Sequence, residues 1–427
     1  MTDIIAKRFF IMSIIAFLLT GVFTYGIIVG IYKVWPYSIL HEIKEIAKSL
    51  INEKRIAPDR LVVRTPEDAP KERIKIYDKD LMQSGFYVFL GWDDELRKFA
   101  AWLYDDKGNI LHTWPIDYYA MDPDGPINGS DSPHAFYVME DGTIILNFDK
   151  GDILSRIDSC GKPVWIKKGV FHHSLFKSDD GSFWTWRGNG TAYGHYNYIN
   201  NFDPANGSTI KEISLIDDII KGESTSSIIF SVRRDYKFAQ FEKTPENKVK
   251  EDMFHPNDVE ILTQELAEKF PMFSAGDILL SFRNINLIAV MEPESYRFKW
   301  WSNGPWRLQH DPDFTLDGKI SVFNNNSGRG RSEIIKIDPK NRSLSNDLLE
   351  GNVKFYTDSM GDHQYLPNGN ILIVVPLEGR VIVTTKNGNK ILEFNNIIKN
   401  LEGKSAHVSN GMWVPLDYFD KLPECIE

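Results

Sequence analysis

Histidine is the residue type whose spacing in this chain most clearly suggests chemistry. The 427-residue sequence holds ten histidines. Five of them open similar segments, in which a turn and an alternating apolar strand follow the histidine: His134, His173, His255, His310 and His363. An imidazole can act as a nucleophile, carry a proton or bind a metal ion. For any single histidine, burial with a backbone partner is the alternative, but a repeated position predicts a shared site.

The segments that the histidines open share a turn as well as a strand. In HAFYVMEDGTIILNF, HSLFKSDDGSFWTW and HDPDFTLDGKISVFNN, a glycine lies eight residues after the histidine. The segment from His255 is a variant with an insertion before Gly276, and the segment from His363 has shorter spacing. A second pair of apolar strands joined by an Asp- or Gly-containing turn recurs in six copies. Such turns are typical of β-hairpins because their residues accept positive φ.

Antiparallel sheets that repeat every ~40–50 residues are the pattern of a β-propeller, whose innermost strands line a central channel. We therefore expect an all-β fold, a six-bladed β-propeller over residues 81–427, with the repeated histidines at one mouth of the channel. The tail from His407 to Tyr418 has strand character. It should close the ring against the first repeat near Gly85 to Trp92, which would bring His407 toward the same mouth.

A long uncharged segment precedes the repeats. Phe9 to Tyr32 reads FFIMSIIAFLLTGVFTYGIIVGIY, which is long enough to cross a bilayer core of ~30 Å as a helix. The apolar run exceeds the usual core of a signal peptide and contains no small-x-small cleavage site before the charged residues that follow. An N-terminal transmembrane anchor over residues 1–35 is therefore favoured. Lysines occur on both sides of the segment, so charge does not settle its orientation.

The region between the anchor and the repeats, residues 36–80, is predicted to be a spacer with one short helix. Ser38 to Arg55 places isoleucine and leucine at helical spacing with lysine and glutamate between them, which predicts an amphipathic helix. A plain spacer and a dimerising or interfacial helix both remain open.

Composition excludes some classes of partner and site. The formal net charge is −10 and no long basic block occurs, so nucleic acid is not an expected partner. The two cysteines, Cys160 and Cys425, form no C-x-x-C motif, which argues against a zinc cage or a thioredoxin-like site. They either form one disulfide or stay as two buried thiols.

Three segments of the repeats carry a more specific pattern: WRLQHDPDFTLDGKISVFNNNSGRGRSEIIKIDP from Trp306, MFHPNDVEIL with ILLSFRNINLIAVME, and FHHSLFKSDDGSFWTW. Together they resemble the bacterial arylsulfate sulfotransferase family, over most of the chain from about Gly85. In this resemblance His310 takes the place of the histidine that is transiently sulfurylated. Asp311 stands where the family has a hydroxyl residue.

The resemblance also implies roles for the other site residues. Anion-binding roles fall to His255, Asn257 and Arg283, of which His255 and Arg283 belong to the catalytic group. His173 is the better match to the family's His-His-Asp segment, with His172 as the fallback. The remaining histidines of the ring are expected to bind substrate: His134 and His363.

A member of this family would transfer a sulfuryl group from an aryl sulfate donor to a phenolic or other hydroxyl acceptor through a sulfohistidine. The resemblance implies no nucleotide donor, no cofactor and no metal. Since family members act outside the cytoplasm, it also implies a single-pass protein of the cell inner membrane, with its propeller on the periplasmic or extracellular side. The sequence does not indicate the oligomeric state.

Two other functions remain open. Converging histidines can hold iron, as in the carotenoid oxygenase family, although Arg283 beside the ring suits an anion better than a metal ion. A propeller can also bind a protein or a glycan without turnover.

Overall fold

The computed structural model describes residues 2–32, 34–37, 61–125, 132–149, 151–189, 197–222, 229, 254–348, 353–399 and 401–425. The chain forms two compact units, Met1–Asp59 and Arg60–Glu427. The amphipathic helix expected over Ser38 to Arg55 lies outside the described residues.

The first unit contains one long helix, Thr2–Tyr32. Its part from Lys7 to Tyr32 is, within the described residues, the one helix that is long and apolar enough to cross a membrane. At a rise of about 1.5 Å per residue, a helix of these 26 residues is longer than the ~30 Å thickness of a hydrocarbon core. Large apolar side chains are exposed along it, including Phe17 and Phe23, as expected for a helix surrounded by lipid.

The second unit is a six-bladed β-propeller built from antiparallel sheets, as predicted. From the innermost strand outward, blade 1 consists of Val408–Val414, Phe86–Asp93, Lys98–Tyr104 and Ile110–Ile116, and blade 2 of Pro133–Val138, Ile144–Phe148, Ile153–Ile157 and Pro163–Lys168. In the same order, blade 3 consists of Phe171–Lys177, Phe183–Gly188, Asn197–Phe202 and Thr209–Ser214, and blade 4 of Pro256–Ile261, Ile278–Phe282, Leu287–Met291 and Phe298–Asn303. Blade 5 consists of His310–Phe314, Ile320–Asn324, Glu333–Ile337 and Leu344–Asn346, and blade 6 of Asp362–Tyr365, Ile371–Val375, Arg380–Thr384, Lys390–Asn395 and Ile74–Ile76.

A few short elements accompany the blades. Val62–Arg64 pairs with Lys404–Ala406 in a separate two-stranded sheet. In the described part of the chain, the short helices include Tyr118–Met121, a π-helix at Leu215–Ile220, Gln264–Ala267, and the 3₁₀ turns Arg283–Ile285 and Pro376–Glu378. Two strands, residues 62–64 and 74–76, lie before residue 81, the predicted start of the propeller, and they belong to the second unit.

The C-terminal tail closes the ring. Its strand Val408–Val414 is the innermost strand of blade 1 and pairs antiparallel with Phe86–Asp93, as predicted from the sequence. Beyond this strand the tail reaches blade 2, where Cys425 forms a disulfide with Cys160. The two cysteines are 265 residues apart in sequence, so the bridge links the end of the chain to a blade near its beginning.

Apolar side chains fill the spaces between neighbouring blades. Between blades 3 and 4, for example, Trp186 and Ile199 pack in one buried cluster with Leu280 and Phe282. This packing covers both faces of the sheets, so their strands are apolar on both sides. Polar residues are buried as well, among them His173, Asn257 and His310 of the innermost strands.

Candidate active site

A cavity of about 70 Å³ lies where the innermost strands begin, and all six blades contribute to its wall. Four of the predicted site residues border it: His134, His173, Asn257 and His310. Since these residues are far apart in sequence, their convergence follows from the equivalent positions that they occupy in successive blades.

A repeated β-bulge positions these residues. In five of the six innermost strands the pairing register shifts within the first residues, for example between His310 and Pro312 and between Pro256 and Asp258. His173 and Asp311 have φ values of 60° and 48°, a left-handed conformation that side chains with a Cβ disfavour. A bulge bends its strand and changes the direction of a side chain, so we infer that it turns the start of each strand toward the axis.

His310 is held in one orientation by Asn325. Its Nδ1 lies 2.7 Å from Oδ1 of Asn325. The amide nitrogen of Asn325 donates to the carbonyl oxygens of Thr357, at 3.0 Å, and Met360, at 2.6 Å. Because these bonds identify the amide nitrogen, Oδ1 is the acceptor, and Nδ1 of His310 must carry the hydrogen. The lone pair of a neutral His310 is therefore on Nε2.

The surroundings keep His310 neutral. Burial, followed by the positive charge of Arg283, lowers its pKa to about 3, although the hydrogen bond to Asn325 acts in the opposite direction. An imidazole with this pKa is unprotonated at neutral pH, as a nucleophile must be.

His173 lies at the centre of a group of four histidines. Its ring centroid is 4.1 Å from that of His134, 4.8 Å from His172 and 5.0 Å from His255. Burial, with a smaller contribution from His134, lowers the pKa of His173 well below its usual value. Imidazoles in contact with one another bring N–H donors and lone pairs together, which suits proton transfer.

His172 contacts His173 on the side away from the cavity. Its Nδ1 is 2.5 Å from Nδ1 of His173, and its Nε2 is 2.9 Å from Oδ1 of Asn197. It is completely buried, and burial lowers its pKa to about 3. His172 does not border the cavity, so His173 is the residue of this pair that a bound molecule can reach.

Asn257 and Arg283 belong to blade 4, next to His310. The side-chain nitrogen of Asn257 donates to the carbonyl oxygen of Gln309 at 2.7 Å, which ties it to the residue before His310. Its Oδ1 has no hydrogen-bond partner within the described part of the chain. Arg283 begins a 3₁₀ turn, its backbone N–H donates to the carbonyl oxygen of His255 at 3.0 Å, and its charge acts on His310. Arg283 does not border the cavity, but its positive charge reaches His310.

His363 occupies a different place from the other predicted residues. It borders a second cavity of about 180 Å³ that continues along the channel and shares Asp258, Asp311 and Asp362 with the first. Blade 6 shows no register shift in its innermost strand, unlike the other five. His363 therefore lines the channel, and the structure does not bring it to the cavity that His310 borders.

Carboxyl groups line this second cavity. Burial and mutual repulsion raise the pKa values of four of them well above the usual range: Asp258, Glu260, Asp313 and Asp362. Among the described residues, the one group with suitable metal-ligand atoms within 4.8 Å of one another is Asp311, Asp313 and His363. The predicted histidine ring is not among the described groups of this kind.

Sequence reasoning did not identify Asn325 or the channel carboxyls. Asn325 lies in the strand end FNNNSG that follows His310, so a polar residue at a repeated strand end was the available signal. Asp258 follows Asn257 directly, but an acidic residue in a strand is ordinarily interpreted as facing water. Nothing local indicated that it would meet Asp311 and Asp362.

Comparison with known protein families gives a match over most of the propeller. Residues 135–397 match the family described as Arylsulfotransferase (ASST). No curated protein matches the sequence significantly.

Comparison with solved structures gives matches at low sequence identity. A protein of unknown function from Bacteroides caccae is 10% identical, covers 78% of this chain and 99% of its own, and gives a TM-score of 0.49. Virginiamycin B lyase from Staphylococcus aureus is 15% identical over 65% of this chain and 74% of its own, with a TM-score of 0.34. Because the family match extends over more than half of the sequence, the chain belongs to the arylsulfotransferase (ASST) family.

Proposed function

We propose that the protein transfers a sulfuryl group from an aryl sulfate to a phenolic or other hydroxyl acceptor, with His310 as the nucleophile. The observation that carries this proposal is the hydrogen bond between His310 and Asn325, 2.7 Å long, at a cavity that other histidines border. It provides a neutral imidazole with a defined lone pair. Family membership supports the same type of reaction.

The proposed reaction has two steps that balance. First, Nε2 of His310 attacks the sulfur atom of the donor, the bond between sulfur and the aryl oxygen breaks, and the phenolate takes up a proton. Second, the acceptor hydroxyl loses its proton as its oxygen attacks sulfur, and the N–S bond breaks. His173 and His134 are the proposed proton carriers. Arg283, with His255 and Asn257, would stabilise the charge on the sulfuryl oxygens.

Steady-state kinetics test this function. Purified protein should release phenol from 4-nitrophenyl sulfate when a phenolic acceptor is present and no nucleotide is added, with the parallel-line pattern of a ping-pong mechanism. His310→Gln should abolish turnover. His112→Gln is a matched control, because His112 lies in the outermost strand of blade 1, where its Nε2 is 2.9 Å from the carbonyl oxygen of Ser159. Tight binding of a panel of aryl sulfates without turnover would favour a binding propeller instead.

For location, we propose an anchor over residues 1–35 in the cell inner membrane and a propeller on the periplasmic or extracellular side. The apolar helix from Lys7 to Tyr32 supports the anchor. The disulfide between Cys160 and Cys425 supports the outer side, because disulfides persist in oxidising compartments. Protease added to spheroplasts should digest the propeller along with a known periplasmic control. Protection of the propeller while that control is cleaved would contradict this orientation.

A further inference from the structure

A carboxylate next to His310 links two blades. Asp311 is the residue after His310 in blade 5, and its Oδ2 accepts a hydrogen bond from the backbone N–H of His363 in blade 6, at 2.6 Å. The same oxygen lies 2.7 Å from Nδ1 of His363. Nε2 of His363 is 2.8 Å from the hydroxyl of Ser321, in the second strand of blade 5. The link therefore leaves blade 5, passes through His363 and returns to blade 5.

Asp311 needs such a link because of its backbone. It lies within the bulge between His310, which pairs with Phe323, and Pro312, which pairs with Val322. Its φ of 48° is a conformation that a residue with a Cβ adopts only when its surroundings hold it there. Two hydrogen bonds to one carboxylate oxygen provide that restraint. Since the bulge determines the direction of the strand at His310, the restraint extends to the imidazole.

The ring of His310 is held from the same side. Its partner Asn325 donates to the carbonyl oxygens of Thr357 and Met360, in the segment that leads into blade 6. The backbone after His310 and the ring of His310 are thus both fixed by residues 357–363.

We propose that Asp311 is a positioning residue, whose link to His363 holds the bulge that aims His310 at the sulfur atom of the donor. This inference rests on the proposed role of His310 as the nucleophile. It gives a function to the acidic residue that stands beside His310.

The order carboxylate, imidazole and hydroxyl also occurs in the triads of hydrolases. Here the hydroxyl belongs to Ser321, which is 0% exposed and borders neither of the two channel cavities. A substrate cannot reach a hydroxyl in this position. The geometry therefore favours positioning over nucleophilic catalysis by Ser321.

Two substitutions test the link. Asp311→Ala removes it, whereas Asp311→Asn keeps an oxygen that can accept from the backbone N–H of His363. We expect Asp311→Ala to slow the single-turnover release of phenol by roughly 10–10², since misplacing a reacting group has effects of this size. The KM for the donor should stay within about twofold, because the anion-binding residues are unchanged, and Asp311→Asn should lose less rate. Glu260→Gln is the matched control, because it removes a carboxyl of the same channel, keeps an oxygen that can accept from the backbone N–H of Phe314 and leaves the link intact.

A second measurement does not depend on sulfuryl transfer. The rate at which diethyl pyrocarbonate modifies His310, followed by peptide mass spectrometry, reports how the imidazole is held. It should change at least threefold in Asp311→Ala and stay unchanged in Glu260→Gln, with thermal midpoints measured for both variants to confirm folding. Equal modification rates in the wild type and Asp311→Ala would overturn the positioning role. If the modification rate of His310 differs between Asp311→Ala and the wild type, but the wild type never releases phenol, the positioning link would stand and the sulfotransferase function would be refuted.

Discussion

The hydrogen bond between Nδ1 of His310 and Oδ1 of Asn325, 2.7 Å long, determines which nitrogen of the imidazole carries its proton. The orientation of Asn325 is in turn fixed by two backbone carbonyl groups. The neutral form of His310 thus has its lone pair on Nε2, and the reactivity of His310 should depend on a residue that the donor need not touch.

Asn325→Asp should change the pH dependence of turnover. The new carboxylate still accepts the hydrogen bond but adds a negative charge, which stabilises the imidazolium and raises the pKa of His310 above its present value of about 3. The acidic limb of kcat/KM should therefore move to higher pH by about 1–2 units. Asn341→Asp, in an exposed turn of blade 5, is the control. An unchanged acidic limb would show that Asn325 does not act on His310 in this way.

Arg283→Gln should reduce the rate of transfer by roughly 10²–10³, the scale seen when one charge-stabilising donor is removed. Arg283→Lys keeps the charge but loses the planar fork of donors, so its loss should be smaller. Arg187→Gln is the control, since Arg187 pairs with Glu212 within blade 3. The rates follow from stopped-flow release of 4-nitrophenol. If Arg283→Gln transferred the sulfuryl group at the wild-type rate, Arg283 would have no role in stabilising the transferred group.

His172 should make the protein less stable in acid. Its pKa is about 3 in the folded protein, because of burial, against a usual value of 6.5. The unfolded chain therefore binds about one more proton at this residue between these pH values, and the free energy of unfolding falls as the pH drops below 6.5, by about 1.4 kcal/mol per pH unit. Urea unfolding of His172→Gln at several pH values should give a slope smaller by about one proton. An identical slope would mean that His172 is protonated in the folded protein.

The disulfide between Cys160 and Cys425 should stabilise the closed ring. It joins residues 265 positions apart, and removing a native disulfide typically costs about 2–5 kcal/mol. Cys160→Ser with Cys425→Ser should therefore unfold at a lower urea concentration, and reducing agent should lower the stability of the wild type alone. The same midpoint for oxidised and reduced wild type would contradict this expectation.

Local sequence signals were sufficient to predict the blades. Alternating strands and their turns are encoded within a few residues; Gly142 and Gly318, for example, have φ values of 80° and 73°, as their turns require. The convergence of His134, His173 and His310 followed from repetition alone. Residues 62–64 and 74–76 form strands of three residues, which are too short to show a period.

Features that depend on contacts between residues far apart in sequence could not be predicted from local patterns. The position of His363 depends on whether its strand carries a bulge, which no nearby residue specifies. The pairing of Cys160 with Cys425 depends on the position that the C-terminal tail takes once the ring of blades has closed. The raised pKa values of Asp258 and Asp362 arise only when separate blades bring carboxyl groups into one channel.

Mass spectrometry of the protein after brief exposure to an aryl sulfate tests the role of His310 most directly. With donor present and acceptor absent, the peptide that contains His310 should gain about 80 Da, the mass of one SO₃ group held in a covalent intermediate. Addition of a phenolic acceptor should remove the adduct. The account predicts this adduct in the wild type and none in His310→Ala. An adduct that forms equally well in His310→Ala, or that lies on another residue of the wild type, would contradict it.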